Sequence, residues 1–133
     1  MKRIITKKIW HCSDSDIKSH DDISVIRKWH VEERGWPDVG YHFFIKLNGE
    51  VQKGRPIHMV GAHCFGQNLY SIGICLHGKS GAFTKAQLYS AQLLNVELDD
   101  YFERKLQNFN HSDFDDKKPF CSGMDLKILE ESL

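Results

Sequence analysis

The stretch SIGICLHG, residues 71–78, alternates small residues (Ser71, Gly73, Cys75) with long apolar ones (Ile72, Ile74, Leu76) and carries no acidic or basic residue before His77. A strand without a polar face cannot border water on either side, so this one must be covered on both. The next segment supplies a cover. FTKAQLYSAQLLNVELDDYFERKL, residues 83–106, opens with Thr84 and Gln87 at capping-box spacing and with Phe83 and Leu88 placed as a hydrophobic staple. Leu88, Ala91, Leu94, Leu98, Tyr101 and Phe102 then mark the expected buried stripe of a long helix. A doubly covered strand followed by an amphipathic helix restricts the chain to layered α/β architectures.

The remaining segments fit that restriction. RIITKKIWH, residues 3–11, reads as a first strand. In DDISVIRKWHVEERGW, Ile23, Ile26 and Trp29 recur at helical spacing behind Asp21 or Asp22 as a cap, and Gly35 is the expected stop. YHFFIKLNGEVQKG has two strand-like runs around Asn48-Gly49, the dipeptide suited to a two-residue type I′ hairpin. A chain of 133 residues suits one domain with one core, and no repeat or linker divides it. The expected fold is a single α/β domain over residues 1–133, with a central mixed β-sheet flanked by helices.

Charge and cysteine content remove several functions. Acidic and basic residues balance at 18 each, which gives no field to gather nucleic acid or anionic lipid, so no nucleic-acid partner is expected. No run approaches the roughly 20 apolar residues of a membrane span, and stable membrane insertion is not expected. The opening MKRIITKKIW is interrupted by lysines where a signal peptide needs an unbroken apolar region, so the chain is expected to be cytoplasmic where it is made. Cys12, Cys64, Cys75 and Cys121 form no CxxC pair, and reduced thiols are expected. Oligomeric state is not legible, and a monomer is the default.

Three residues near expected strand ends or loops carry metal-binding chemistry: His11 after the first strand, His111 in NFNHSDFDDKKPFC, and Cys121 closing that loop. Two imidazoles and one thiolate are natural zinc ligands, and a tetrahedral ion held by three of them keeps one position open, as catalytic sites do. Ligands this far apart make no motif, however. Taken singly, His11 reads equally as a strand-end histidine, His111 as a surface residue, and Cys121 as a small buried hydrophobe.

The blocks HCSDSD, IRKWHVEERGWPDVGYHFFIKLNGEVQKGRP, GAHCFGQNLYSIGICLHG and HSDFDDKKPFCSGMDLK occur in one order. In that order they resemble the zinc-dependent N-acetylmuramoyl-L-alanine amidases, the family of phage lysozyme-like amidases related to the peptidoglycan recognition proteins of animals. The similarity runs from about Ile4 to Lys127. It implies an amidase/peptidoglycan-recognition-protein-like fold, Zn²⁺ held by His11, His111 and Cys121, and a tyrosine supporting catalysis at Tyr41. The implied reaction is hydrolysis of the amide between N-acetylmuramic acid and L-alanine in peptidoglycan or a muropeptide, by a phage or prophage endolysin.

Other roles follow from the same resemblance. Family members carry a catalytic lysine two positions before the cysteine ligand, where this chain has Pro119; Lys118 is taken for that role ahead of Lys117. Ser122 replaces the proline usual after the cysteine. His63 and Asn68, on the GAHCFGQN loop, are expected to bind substrate, with His63 also able to support a ligand. Cys12 is expected to be a packed strand thiol and His42 to have a packed or surface role, because each follows a site residue in a strand and adjacent strand residues point to opposite faces. Three alternatives remain: a non-catalytic peptidoglycan-binding module, which relatives lacking the cysteine become; a cytosolic amidase recycling wall fragments; and a thiol hydrolase, which chelators would not inhibit.

Overall fold

In the computed structural model, which describes residues 3–131, the uncharged segment is β4 (Ser71–Leu76), every residue of it buried. It lies in the middle of a five-stranded sheet with β1 (Lys7–Cys12), β2 (Phe43–Ile45), β3 (Val51–Lys53) and β5 (Gln107–Asn110), in the order β3-β2-β4-β1-β5. The β2–β3 pair is antiparallel, whereas β1–β4, β1–β5 and β2–β4 are parallel, so the sheet is mixed as expected. Parallel neighbours need crossovers, and these carry α1 (Ile23–Lys28) and α2 (Lys85–Phe102).

α2 covers one face. Ala91, Leu94 and Leu98 pack on Trp10, Ile45, Ile72, Ile74 and Leu76, the long apolar residues of the alternating strands. The capping box forms, with the Gln87 N–H donating to Thr84 Oγ1 at 3.0 Å and the Thr84 N–H donating to Gln87 Oε1 at 2.9 Å. The stripe differs at one end: Tyr101 faces solvent, and the buried polar residues of the helix are Gln87 and Asn95. Gln87 Nε2 bonds the carbonyls of Ile45 and His77, tying the helix start to two strand ends.

On the opposite face, Ile23 and Ile26 of α1 pack with Val39, Phe44 and Cys75. Asp22 caps α1 through the Ser24 N–H, and a π-helical turn (Trp29–Glu33) carries the chain to Gly35 at φ +69°. The hairpin is not type I′. Only Gly49 of the Asn48-Gly49 pair has positive φ, and the Gly49 N–H bonds the Lys46 carbonyl, as in a type I turn followed by a glycine bulge. The backbone of Leu47 is held from both sides, by Asp21 Oδ1 and by Thr84 Oγ1, which favours the longer loop. β5 is short and largely polar, and its sequence has no strand periodicity.

Candidate functional site

The parallel register creates the site. Trp10 of β1 pairs with Asn110 of β5, so the next residue of each chain segment, His11 and His111, emerges beside the other at the carboxyl ends of the strands. Their ring centroids are 4.5 Å apart although 100 positions separate them in sequence. The loop after His111 then folds back: the Ser112 N–H bonds the Cys121 carbonyl at 2.6 Å, and the Cys12 N–H donates to Cys121 Sγ at 3.2 Å. One ligand-capable atom from each of His11, His111 and Cys121 lies within 4.8 Å of the other two, so the three could hold a metal ion.

The donor set fits such an ion. Burial, with His63 and His111 close by, pushes the His11 imidazole well below its ordinary value and keeps it neutral, as a ligand must be. His11 Nδ1 is a buried nitrogen with no hydrogen-bond partner among the described residues. An uncompensated polar atom in that position is costly unless something else takes its lone pair. His111 is lowered by burial, while Asp115 Oδ2, 3.4 Å from His111 Nε2, works the other way. A carboxylate on the far nitrogen orients an imidazole for ligation. The neighbouring Cys12 thiol and burial push the Cys121 thiol up, while the Cys121 thiol lowers that of Cys12.

A cleft of ≈ 590 Å³ opens over this group, and Tyr41, His63, Asn68, Lys117 and Lys118 all line it. The Tyr41 ring is centred 5.0 Å from that of His11. Burial, with the thiols of Cys75, Cys121 and Cys12 nearby, holds its phenol well above the usual range, so the hydroxyl keeps its proton and remains a donor. Lys118 sits close enough to His111 to oppose its protonation. The backbone of Lys118 is fixed in a turn, its N–H on the Asp115 carbonyl and its carbonyl accepting the Cys121 N–H.

The loop residues are deployed differently from one another. Asn68 lines the cleft, but its Oδ1 takes the N–H groups of both His63 and Cys64 at 2.9 Å, leaving only its amide hydrogens for a ligand. His63 is buried, with Nδ1 2.9 Å from His11 Nε2 and Nε2 3.2 Å from Ser71 Oγ. His42 is packed, although not for the expected reason. Its ring lies on the same side as Tyr41, 6.0 Å from that of His63, because regular strand begins only at Phe43. It bonds the Gly73 N–H and the Met59 carbonyl. Cys12 is buried as expected, but it lines the cleft beside Cys121 and does not turn away from the site.

Sequence reasoning missed Asp115 and Ser71. The four-residue spacing from His111 to Asp115 was a usable signal within what read as a charged run, whereas Ser71 looked only like a small strand residue. It also missed Phe65 and Phe120, two exposed rings on the cleft wall.

A family model described as N-acetylmuramoyl-L-alanine amidase matches residues 3–119. The endolysin of Enterobacteria phage T3 is 40% identical over 133 residues, covering 94% of this chain and 85% of the relative. That of Escherichia phage T7 is 40% identical over 124 residues, covering 88% and 80%. Among solved structures, an ectodomain complex of peptidoglycan recognition proteins bound to tracheal cytotoxin superposes with a TM-score of 0.83 at 25% identity, covering 98% of this chain and 84% of that one.

Proposed function

The chain belongs to the N-acetylmuramoyl-L-alanine amidase family, and on that premise we propose that it is an endolysin whose cleft cuts the amide between N-acetylmuramic acid and L-alanine of peptidoglycan with the help of Zn²⁺. The observation that carries the zinc reading is the buried His11 Nδ1, without a partner among the described residues, beside His111 and Cys121. His11, His111 and Cys121 would hold the ion. When bound, zinc supplies Lewis acidity, polarising a carbonyl and making water nucleophilic near neutral pH.

The protein's own groups have the remaining work. Hydrolysis forms a C–O bond at the lactyl carbonyl, breaks the C–N bond, and leaves a carboxylate and the protonated amine of L-alanine. Negative charge grows on the carbonyl oxygen on the way. The protonated Tyr41 hydroxyl, beside His11, is the first donor for that charge, and the Lys118 ammonium at the cleft rim is the second. Asp115 keeps His111 oriented. His63 lies behind His11, and the amide hydrogens of Asn68 are available to the glycan or peptide along the cleft.

Metal content and activity measured together test this reading. The purified protein should carry about one zinc, lose peptidoglycan cleavage in chelator, and regain it with added zinc. Cys121→Ser should lose both metal and cleavage, because a hydroxyl is a far weaker zinc ligand than a thiolate. Full activity in metal-free protein, abolished instead by thiol alkylation, would replace the zinc reading with a cysteine nucleophile.

A further inference from the structure

The small face of β4 has a use beyond close strand packing. A Cβ built on Gly73 would fall 2.5 Å from His63 Cγ and Cδ2, and one on Gly61 would fall 2.8 Å from His63 Cδ2. The His63 ring therefore occupies a slot that only glycines leave open. Its backbone is pinned at the same time by Asn68 Oδ1. A ring seated this firmly presents its two nitrogens in fixed directions, one to His11 and one to Ser71.

The proton positions along that line are determined by one hydroxyl. Ser71 Oγ donates its hydrogen to the Gln67 carbonyl at 2.8 Å, so toward His63 it can only accept. His63 must then carry its hydrogen on Nε2 and offer a lone pair at Nδ1. Both rings are buried, His11 at 1% and His63 at 8% exposure, where an imidazolium would be costly, so each is neutral with a single N–H. His11 consequently donates from Nε2 to His63 Nδ1, and its own lone pair is left on Nδ1, the buried nitrogen that has no partner among the described residues.

We propose that the chain Gln67 C=O, Ser71, His63, His11 is a proton-ordering relay that locks His11 in its Nε2–H tautomer and so presets Nδ1 as a metal ligand before any ion arrives. His63 and Ser71 are positioning residues in this scheme, acting on the ion only through His11. The relay deepens the zinc reading given above and rests on it for its purpose, but the tautomer is a property of the metal-free protein. Without the relay, His11 would divide between two tautomers, and the fraction holding its hydrogen on Nδ1 would have to rearrange before binding.

Long-range ¹H–¹⁵N NMR of the metal-free, ¹⁵N-labelled protein reads the tautomers directly. The expected spectrum has unprotonated Nδ1 and protonated Nε2 for both His11 and His63. Protonated Nδ1 on His11, or averaging between its two forms, would overturn the relay. Zinc affinity by chelator competition supplies the second arm, since losing an outer partner of a ligating histidine typically costs about 10-fold to 100-fold. His63→Leu should show a loss of that size and Ser71→Ala a smaller one in the same direction. His63→Asn retains an acceptor near the position of Nδ1 and should bind zinc nearly as wild type does, which a simple packing role would not give. Wild-type affinity in His63→Leu, with the His11 tautomer unchanged, would also overturn the proposal. If the wild type bound no zinc, the metal reading would fall while the spectrum still decided the relay.

Discussion

The hydroxyl and the ring of Tyr41 have separable jobs. The ring packs near His11 and against the α1 side of the core, so Tyr41→Phe should preserve both the fold and the metal content. Removing one preorganised oxyanion donor costs on the order of 10²-fold to 10³-fold in turnover, and Tyr41→Phe should lose cleavage by about that factor. Turnover on a defined muropeptide, with zinc measured on the same sample, checks it; unchanged turnover would transfer the role to Lys118. At this scale, residue type and family resemblance made His11, His111, Cys121 and Tyr41 legible as candidates, and the structure brings them together. Asp115 and Ser71 were not legible, because each matters only through the one nitrogen it faces across space.

Lys8 shows how an element can be misjudged from its residues. It interrupts the apolar run of β1, yet its side chain is fully buried, bonded to Asn95 and, at 2.7 Å, to Asp99 Oδ1 of α2. Burial lowers the Lys8 ammonium, and Asp99 opposes that shift. The pair clamps α2 to the sheet, and breaking such a pair from one side strands the other charge. Asp99→Ala should therefore destabilise by roughly 3–5 kcal/mol, whereas Lys8→Met, of similar length and without charge, should cost less. Urea unfolding of the two variants measures the difference, and equal losses would mean that packing, not the stranded charge, sets the cost. β4 and α2 were readable because their patterns are local. The glycine-bulge hairpin depended on Asp21 and Thr84 from distant segments, and β5 on pairing with β1, which no local pattern announces.

For the molecule as a whole, buried histidines tie stability to pH. Burial lowers both His30 and His42 to about 4, and pushes His11 and His63 well below their usual range. Between about 4 and the unfolded value of 6.5 the unfolded chain binds more protons than the folded one, so stability rises with pH across that window. The contribution is fully present above pH 6.5 and is lost as pH falls toward 4, by on the order of 3 kcal/mol for His42 alone. Unfolding free energies of the metal-free protein at stepped pH check this, and a flat profile would contradict it. His30 and His63 line the cleft, and His11 and His42 pack against His63, so separate segments bring these rings together. The chemistry of that cleft is tested most directly by mass spectrometry of a purified muropeptide digested with the zinc-loaded protein. The expected products are the intact sugar bearing a free lactyl carboxylate and the intact stem peptide with a free L-alanine amino terminus. Cleavage between sugars, cleavage within the peptide, or recovery of the uncut muropeptide would contradict the amidase function.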